Sequence, residues 1–198
     1  MHMRNLFNLM ILLVFVCLVA MPAMADEGQN EEHCQKACGS DTTIAVREIE
    51  PYDYVALEMT GTYDQHGQAF QTLYTSAGEQ GLPMGQMPFG IYWNSPDDTA
   101  EEDLKWEIGF PQTEAKEVSE PLKNKKWEFT SLAVTTYKGT FGEDQAAAYQ
   151  ALFMWIGKNG YKPAGPVMEK YLCMPRQTED GGWEGCVEIM VPVEKAQK

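Results

Sequence analysis

Glu169 and Tyr171 place an acid and an aromatic ring two positions apart, a spacing that could hold an organic cation. In an extended strand these two side chains share a face. A carboxylate among aromatic rings has a raised pKa unless a cation accompanies it. A cationic ligand would therefore be attracted by the carboxylate and by the ring faces, each ring contributing about 0.5–2 kcal/mol. The alternative is a structural acid that bonds a backbone group or a lysine such as Lys170.

Two parts of the chain carry the same motifs in the same order. The Gly-Thr-aromatic motif at 61–63 recurs 78 residues later, at 139–141. The Glu-Ile pair that begins at Glu107 recurs 81 residues later, at Glu188, so the spacing between corresponding motifs changes by only three residues. A drift this small indicates duplication of one folding unit. The two repeats are predicted to cover about residues 44–112 and 115–194.

The repeat brings a second tyrosine towards Glu169. Tyr92 corresponds to Tyr171, and Gly90 corresponds to Glu169. A cleft at the seam between the two halves would therefore contain two tyrosines and a single carboxylate. Because seams of this kind are common places for ligand pockets, we predict the ligand site there.

The elements that must position these residues follow from the hydrophobic pattern. Each repeat is predicted to fold as β-α-β-β preceded by a further strand. The predicted helices cover 64–78 and 143–158, and the strand that carries Glu169 covers 167–173. Two such units predict an α+β domain with an antiparallel sheet, helices on one face and a central ligand cleft. The remaining predicted strands cover residues 43–50, 54–60, 89–94, 106–110, 117–122, 127–137 and 185–193.

Four cysteines remain beyond residue 25, and an even number in an oxidising compartment favours disulfides. Cys173 and Cys186 are equidistant from the centre of the turn between them, so in a simple hairpin they would face each other and form one bond. Cys34 and Cys38 would then form the second. This hairpin also predicts that Glu169 lies on the sheet face away from the helices. Neither a metal nor another cofactor is expected, since the histidine beside Cys34 completes only a partial ligand set.

Residues 1–25 have the pattern of a secretory leader. Arg4 supplies a positive charge, an apolar run follows it, and Ala23-Met24-Ala25 forms a small-x-small cleavage site. We therefore predict export to the periplasm or the medium, without a stable membrane anchor after cleavage; a retained anchor is the alternative. Cleavage would leave 14 basic and 29 acidic residues, a net charge of −15, with a flexible acidic segment at 26–43. This charge argues against nucleic acid as a partner and is compatible with cationic small molecules.

Four short motifs carry a family resemblance. They are Pro-Phe-Gly-Ile-Tyr at 88–92, Trp-Ile-x-x-Asn-Gly-Tyr at 155–161, Gly-Pro-x-x-Glu-x-Tyr at 165–171 and Glu-Ile-x-Val-Pro at 188–192. Together they resemble the GyrI-like small-molecule-binding domain, the effector-binding domain of many AraC-type and MerR-type bacterial regulators. The resemblance covers about residues 44–194 of a domain predicted at 44–198. It implies a duplicated β-α-β-β fold with an aromatic-lined cleft whose acid is Glu169, but no helix-turn-helix fits before it.

These observations predict an exported protein that binds a hydrophobic or cationic organic ligand. One alternative is a hydrolase of a reactive small molecule, in which Glu169, Tyr171 and Tyr92 orient water and stabilise developing charge. A second is a module that docks onto an envelope protein. His66, alone in a polar turn, is expected to be solvated, and the oligomeric state is left open. The predicted ligand-binding residues are one acid, three tyrosines and two further cleft residues: Glu169, Tyr171, Tyr92, Tyr137, Trp183 and Met59.

Overall fold

The computed structural model describes Cys38 and residues 43–83, 85–141, 143–179 and 181–197. The predicted leader, Cys34 and most of the predicted acidic segment lie outside the described residues. Within these ranges, no helix is both long enough and apolar enough to cross a membrane.

Between residues 43 and 197 the described chain forms ten strands in one antiparallel sheet and two long helices, which confirms the predicted α+β class. Helix α2 covers the residues predicted for it, and α1 starts after a short 3-10 turn at Tyr63–Gln65. The helices are α1 (His66–Glu79) and α2 (Glu143–Lys158). The strands are β1 (Ala45–Glu48), β2 (Tyr52–Thr60), β3 (Phe89–Tyr92), β4 (Lys105–Pro111), β5 (Leu122–Trp127), β6 (Ser131–Thr140), β7 (Tyr161–Pro163), β8 (Val167–Tyr171), β9 (Arg176–Gln177) and β10 (Trp183–Lys195).

The strand order is symmetric about the central pair of strands, β8 and β3. From one edge to the other it is β1-β6-β10-β8-β3-β4-β2-β5, with β7 and β9 attached to β10. Strands β2, β3 and β4 of the N-terminal half occupy the places that β6, β8 and β10 occupy in the C-terminal half. The outer strands are exchanged, because β1 pairs with β6 and β5 pairs with β2. Each half is therefore completed by a strand from the other.

Both faces of the sheet bury apolar side chains. On the face that we call the helix face, α1 packs on β2 and β4, and α2 packs on β6 and β10. On the opposite face, aromatic and aliphatic side chains from several strands form a third cluster without a covering helix from the described residues. On the helix face, the cluster under α1 centres on Leu73, Trp106 and Ile108, and the cluster under α2 centres on Leu152, Ile156 and Ile189. The cluster on the opposite face centres on Tyr54, Phe89, Trp127, Leu132 and Met168.

The pairing of β8 with β10 differs by one residue from the predicted hairpin, and this changes the disulfides. Tyr171 lies opposite Val187, so the position opposite Cys186 is Leu172 and not Cys173. Cys186 forms its bond with Cys38. The predicted pairs Cys173–Cys186 and Cys34–Cys38 are therefore both wrong. Cys173 is also disulfide-bonded, and its partner lies outside the described residues.

The same one-residue difference reverses the predicted face of the acid. Glu169 lies opposite Ile189 on β10, and Ile189 packs beneath α2. Because side chains alternate between faces, a shift of one residue moves every side chain of a strand to the other side. Glu169 and Tyr171 therefore face the helices, and the prediction that they face away from them is wrong.

Strand β5 lies a few residues later than predicted. The predicted strand at 117–122 is mostly a loop, and the strand runs from Leu122 to Trp127. Both of these terminal residues are buried, whereas the lysines between them remain accessible. The chain then turns through 128–130 before β6, so β5 can join β2 of the other half.

Candidate functional site

Glu169 lies near the centre of the sheet, where the two halves meet. Its strand, β8, pairs with β3 of the other half, and Glu169 is directly opposite Gly90. The side chain is on the helix face, and only 8% of the residue is exposed. Burial of a carboxylate is costly unless it is paired or hydrogen-bonded, so the groups around it determine its state.

Three side chains donate hydrogen bonds to the Glu169 carboxyl group. Gln145 Nε2 donates to Oε1 at 2.5 Å, and the Tyr149 hydroxyl donates to the same oxygen. The Tyr92 hydroxyl lies 3.4 Å from Oε2. Two of these donors come from α2 and the third comes from β3, so both halves of the protein contact the acid.

The acid has no neutralising cation in the described part of the chain. No lysine or arginine of these ranges forms an ion pair with Glu169. Lys170, the alternative partner considered from the sequence, lies opposite Glu188 on the other face of the sheet. Burial raises the pKa of the Glu169 carboxyl, and the hydrogen bonds from Tyr149, Tyr92 and Gln145 oppose that rise. The carboxyl group therefore keeps its proton to a higher pH than an exposed glutamate would.

Gly90 allows Tyr92 to reach the acid. These residues share a face of β3, and the Tyr92 ring folds back over the glycine. A Cβ atom at position 90 would lie 2.7 Å from the Tyr92 hydroxyl oxygen, closer than real Cβ contacts. A second acid at this position of the first repeat would have to displace the Tyr92 hydroxyl from its place beside Glu169.

His66 extends this network away from the acid. Its Nε2 lies 3.0 Å from the Tyr92 hydroxyl, and its Nδ1 bonds the carbonyl oxygen of Tyr63. The imidazole stacks on Trp106, with 4.3 Å between ring centroids. Burial lowers the pKa of His66. The expectation of a solvated His66 is therefore wrong: the ring is packed against Trp106 and hydrogen-bonded through both nitrogens.

Residues that correspond in the two repeats surround the acid in pairs. With an offset of 79 residues, His66 corresponds to Gln145, and the first contacts Tyr92 while the second contacts Glu169. The same offset relates Phe70 to Tyr149. The two helices thus use equivalent positions, one turn apart: those of α2 bond the acid, and those of α1 contact its tyrosine neighbours. Three such pairs lie around this site: His66 with Gln145, Phe70 with Tyr149, and Tyr92 with Tyr171. Gln145, Tyr149 and Tyr92 bond the Glu169 carboxyl, whereas His66 bonds Tyr92 and Phe70 packs on Tyr171.

The structure brings together some of the predicted site residues and separates others. Tyr171 packs edge-to-face on Phe70, with ring centroids 5.5 Å apart, and burial raises its pKa. Tyr137 and Met59 lie on the helix face but in different clusters. Trp183 is 51% exposed at the start of β10. Of these predicted residues, Tyr92 hydrogen-bonds the Glu169 carboxyl.

Sequence reasoning missed three important neighbours of this acid: Gln145, Tyr149 and His66. A signal for the first two was present, because residues four apart on a helix share a face. The repeat alignment would then have placed His66 in the same position as Gln145. No local pattern indicated that these helix faces would meet Glu169, since that depended on the register of the hairpin.

Comparison with known proteins places this geometry among related sequences and folds. A family profile described as the GyrI-like small molecule binding domain matches residues 42–194. The chain is 30% identical over 146 residues to DNA gyrase inhibitor 2 of Dickeya dadantii, covering 70% of this chain and 87% of that protein. Its fold is similar to that of the EcmrR C-terminal domain, with a TM-score of 0.63, 17% identity and coverage of 78% of this chain and 98% of the other. It is also similar to a structure described as a hydrolase from Listeria innocua, with a TM-score of 0.60, 13% identity and coverage of 83% and 98%. At these identities the two structures are evidence for the fold alone.

Proposed function

The chain belongs to the family of GyrI-like small molecule binding domains, and from that premise we propose that it binds a hydrophobic organic cation at Glu169, after export from the cytoplasm. The observation that carries the proposal is a carboxyl group at the seam of the two halves, buried and without a cationic partner among the described residues. Aromatic rings from both halves enclose it. Charge and ring faces of this kind attract organic cations and disfavour anions.

The site is closed in the structure, so binding requires movement. Glu169 is 8% exposed and Tyr171 is 6% exposed. Tyr92, Tyr149 and Gln145 now donate hydrogen bonds to the carboxyl group. When a ligand cation binds there, these side chains must either keep their bonds beside the cation or move away. Movement of α2, which carries Gln145 and Tyr149, would open one side of the site without breaking the central sheet.

Binding of a cation should be linked to loss of a proton. The free protein has a raised Glu169 pKa, so a fraction of the molecules carry a neutral acid near that pKa. A cation binds the ionised form more tightly, since opposite charges attract strongly in a buried site. Affinity for the cation should therefore rise with pH until the acid is ionised in the free protein, and then level off.

A matched pair of probes tests the proposal. Phenyltrimethylammonium and tert-butylbenzene have the same shape, and only the first is charged. Calorimetric titration of wild type should show saturable binding of the cation, with proton release that depends on pH. Glu169→Gln should weaken binding by about tenfold or more, which corresponds to about 1.4 kcal/mol, whereas the exposed control Glu194→Gln should not change it.

Two results would reject this function. Equal affinity for the charged and the neutral probe would mean that the carboxyl group does not recognise charge. Equal affinity of wild type and Glu169→Gln for the cation would place its binding elsewhere.

Hydrolysis of a reactive small molecule is a second candidate, favoured by the chain of hydrogen-bonding groups from Glu169 through Tyr92 to His66. A buried acid with a raised pKa can act as a general acid, and a neutral imidazole can accept a proton. The neighbour from Listeria innocua is described as a hydrolase, although it shares only the fold with this chain. Product formation that falls in Glu169→Gln and in Tyr92→Phe would favour this candidate over simple binding.

We propose small-molecule binding, and not gyrase inhibition, as the activity shared with the relative from Dickeya dadantii. The predicted leader would remove this chain from the compartment that contains gyrase. Fractionation of cells that express the full chain tests this directly. An uncleaved protein in the cytoplasm would reject the export part of the proposal and would make a gyrase supercoiling assay the next measurement.

A further inference from the structure

A recessed groove of about 320 Å³ lies on the opposite face of the sheet from Glu169. Its floor is apolar and includes Phe89, Leu132 and Met190, all of them buried. Its rim carries charge from Arg47, Lys170 and Glu188. Because side chains of a strand alternate between faces, Lys170 faces this groove while Glu169 faces the helices.

The internal repeat provides a comparison for this groove within the same molecule. In the N-terminal half, buried Glu107 accepts a hydrogen bond from the Tyr54 hydroxyl at 2.7 Å and pairs with Lys125 of β5. In the C-terminal half, Glu188 corresponds to Glu107 and pairs with Arg47 of β1 at 2.7 Å. The exchanged edge strands thus supply a cation to a glutamate in each half.

The two halves differ in the residue that fills the space beside the glutamate. Tyr54 lies opposite Lys125 on β5, and Leu132 lies opposite Arg47 on β1, so Leu132 is the counterpart of Tyr54. Leucine lacks the ring and the hydroxyl group that occupy this place in the other half. The space that a tyrosine would fill borders the groove, which Leu132 helps to line.

The charges at the rim favour an anionic ligand. Arg47 uses one of its five N–H donors on Glu188. The Lys170 ammonium group forms no ion pair or hydrogen bond within the described residues, and the corresponding position in the other half is the apolar Ile91. Two cations and one anion leave this rim with a local positive charge on a protein whose net charge is −14.

We propose that this groove is a second ligand site, which binds an amphipathic carboxylate. The carboxylate would accept hydrogen bonds from Lys170 and from the unused donors of Arg47. The apolar part would lie against Ile49, Tyr52 and Met190, above the buried Phe89 and Leu132. The site is separate from the one at Glu169, because the sheet lies between them, and its ligand has the opposite charge.

Decanoate and decanol, titrated below the micellar range into the full oxidised chain, test the proposal. Decanoate should bind with saturation, and decanol should bind about tenfold or more weakly. Lys170→Gln should weaken decanoate binding by about tenfold, whereas Lys162→Gln, at an exposed lysine that already pairs with Glu194, should not. Leu132→Tyr, which copies the filled half, should abolish binding. Glu169→Gln should leave decanoate binding unchanged even if cation binding proves absent.

Several outcomes would overturn this second site. One is the absence of decanoate binding, and another is equal affinity for decanoate and decanol. Loss of binding in Glu169→Gln but not in Lys170→Gln would assign the carboxylate to the helix face. Circular dichroism and thermal unfolding report whether Leu132→Tyr folds. If that variant is unfolded, decanoate binding by Lys170→Gln tests whether the groove is the binding site.

Discussion

At the scale of single residues, Glu169 should make the protein less stable as pH rises. Its pKa is higher in the folded protein than in the unfolded chain, where it is about 4.3–4.5. The folded state therefore binds this proton more tightly, and the stability present below the unfolded pKa is lost as pH rises towards the folded pKa. The slope from one such group is at most about 1.4 kcal/mol per pH unit.

Glu169→Gln should remove this dependence. Urea unfolding of both proteins between pH 4 and pH 8 should show the variant gaining stability relative to wild type as pH increases. Gln keeps the size of the side chain and lacks the ionisation, so a difference in slope reports the carboxyl group alone. Parallel stability profiles would show that the acid ionises equally in both states, contrary to its buried position.

The residues of the site were only partly predictable. Tyr92 and Tyr171 were located near Glu169 because the repeat motif and strand alternation are local signals. The face of the sheet on which Glu169 lies was not predicted correctly. A shift of one residue in the pairing of β8 with β10 moves the side chain to the other face. His66 shows the same limit: its environment comes from Trp106 and Tyr92, which are distant in sequence.

At the scale of elements, an ion pair between the half-buried Lys125 and the buried Glu107 supports the place of β5 beside β2. Lys125 pairs with Glu107, whose side chain is 1% exposed, and also with Glu58 at 2.8 Å. Removing one partner of a buried pair leaves an uncompensated charge, which costs about 3–5 kcal/mol. Because the Lys125 side chain is 24% exposed and the Tyr54 hydroxyl still bonds Glu107, Lys125→Met should reduce the free energy of unfolding by about 2–3 kcal/mol, at or below the lower end of this range.

Lys123→Met on the same strand is the matched control. Lys123 pairs with Glu58, and both side chains are nearly half exposed. Exposed pairs contribute about 0–1 kcal/mol, so chemical denaturation should show little change. An equal decrease in the free energy of unfolding for both variants would mean that the pair between Lys125 and Glu107 contributes no more than an exposed ion pair.

Helices were easier to predict than strands in this chain. Helix α2 has the predicted bounds, because its apolar period and the terminal Asn159-Gly160 are contained in the segment itself. Strand β5 was predicted too early, since its apolar ends, Leu122 and Trp127, pack against strands of the other half. No local sequence pattern predicted that β1 and β5 would each pair with a strand of the other half.

At the scale of the whole molecule, Cys38–Cys186 ties the segment before β1 to β10, 148 residues later. A bond that closes so long a loop restricts the unfolded chain, and the chain-entropy model gives about 4–5 kcal/mol for loops of this size. Because the loop contains almost all of both halves, the stabilisation should apply to the complete fold. Cys38→Ser combined with Cys186→Ser should therefore lower the free energy of unfolding by up to this amount.

Urea unfolding of the oxidised proteins measures the change, and ligand titration distinguishes a global effect from a local one. Cys186 lies two residues from Glu188, on the face opposite Glu169, so cation binding at the helix face should be retained wherever the double variant is folded. An unfolding midpoint equal to that of wild type would show that this bond does not stabilise the domain. Lower stability together with lost cation binding under native conditions would instead show that the bond holds the two halves in the geometry that the acid requires.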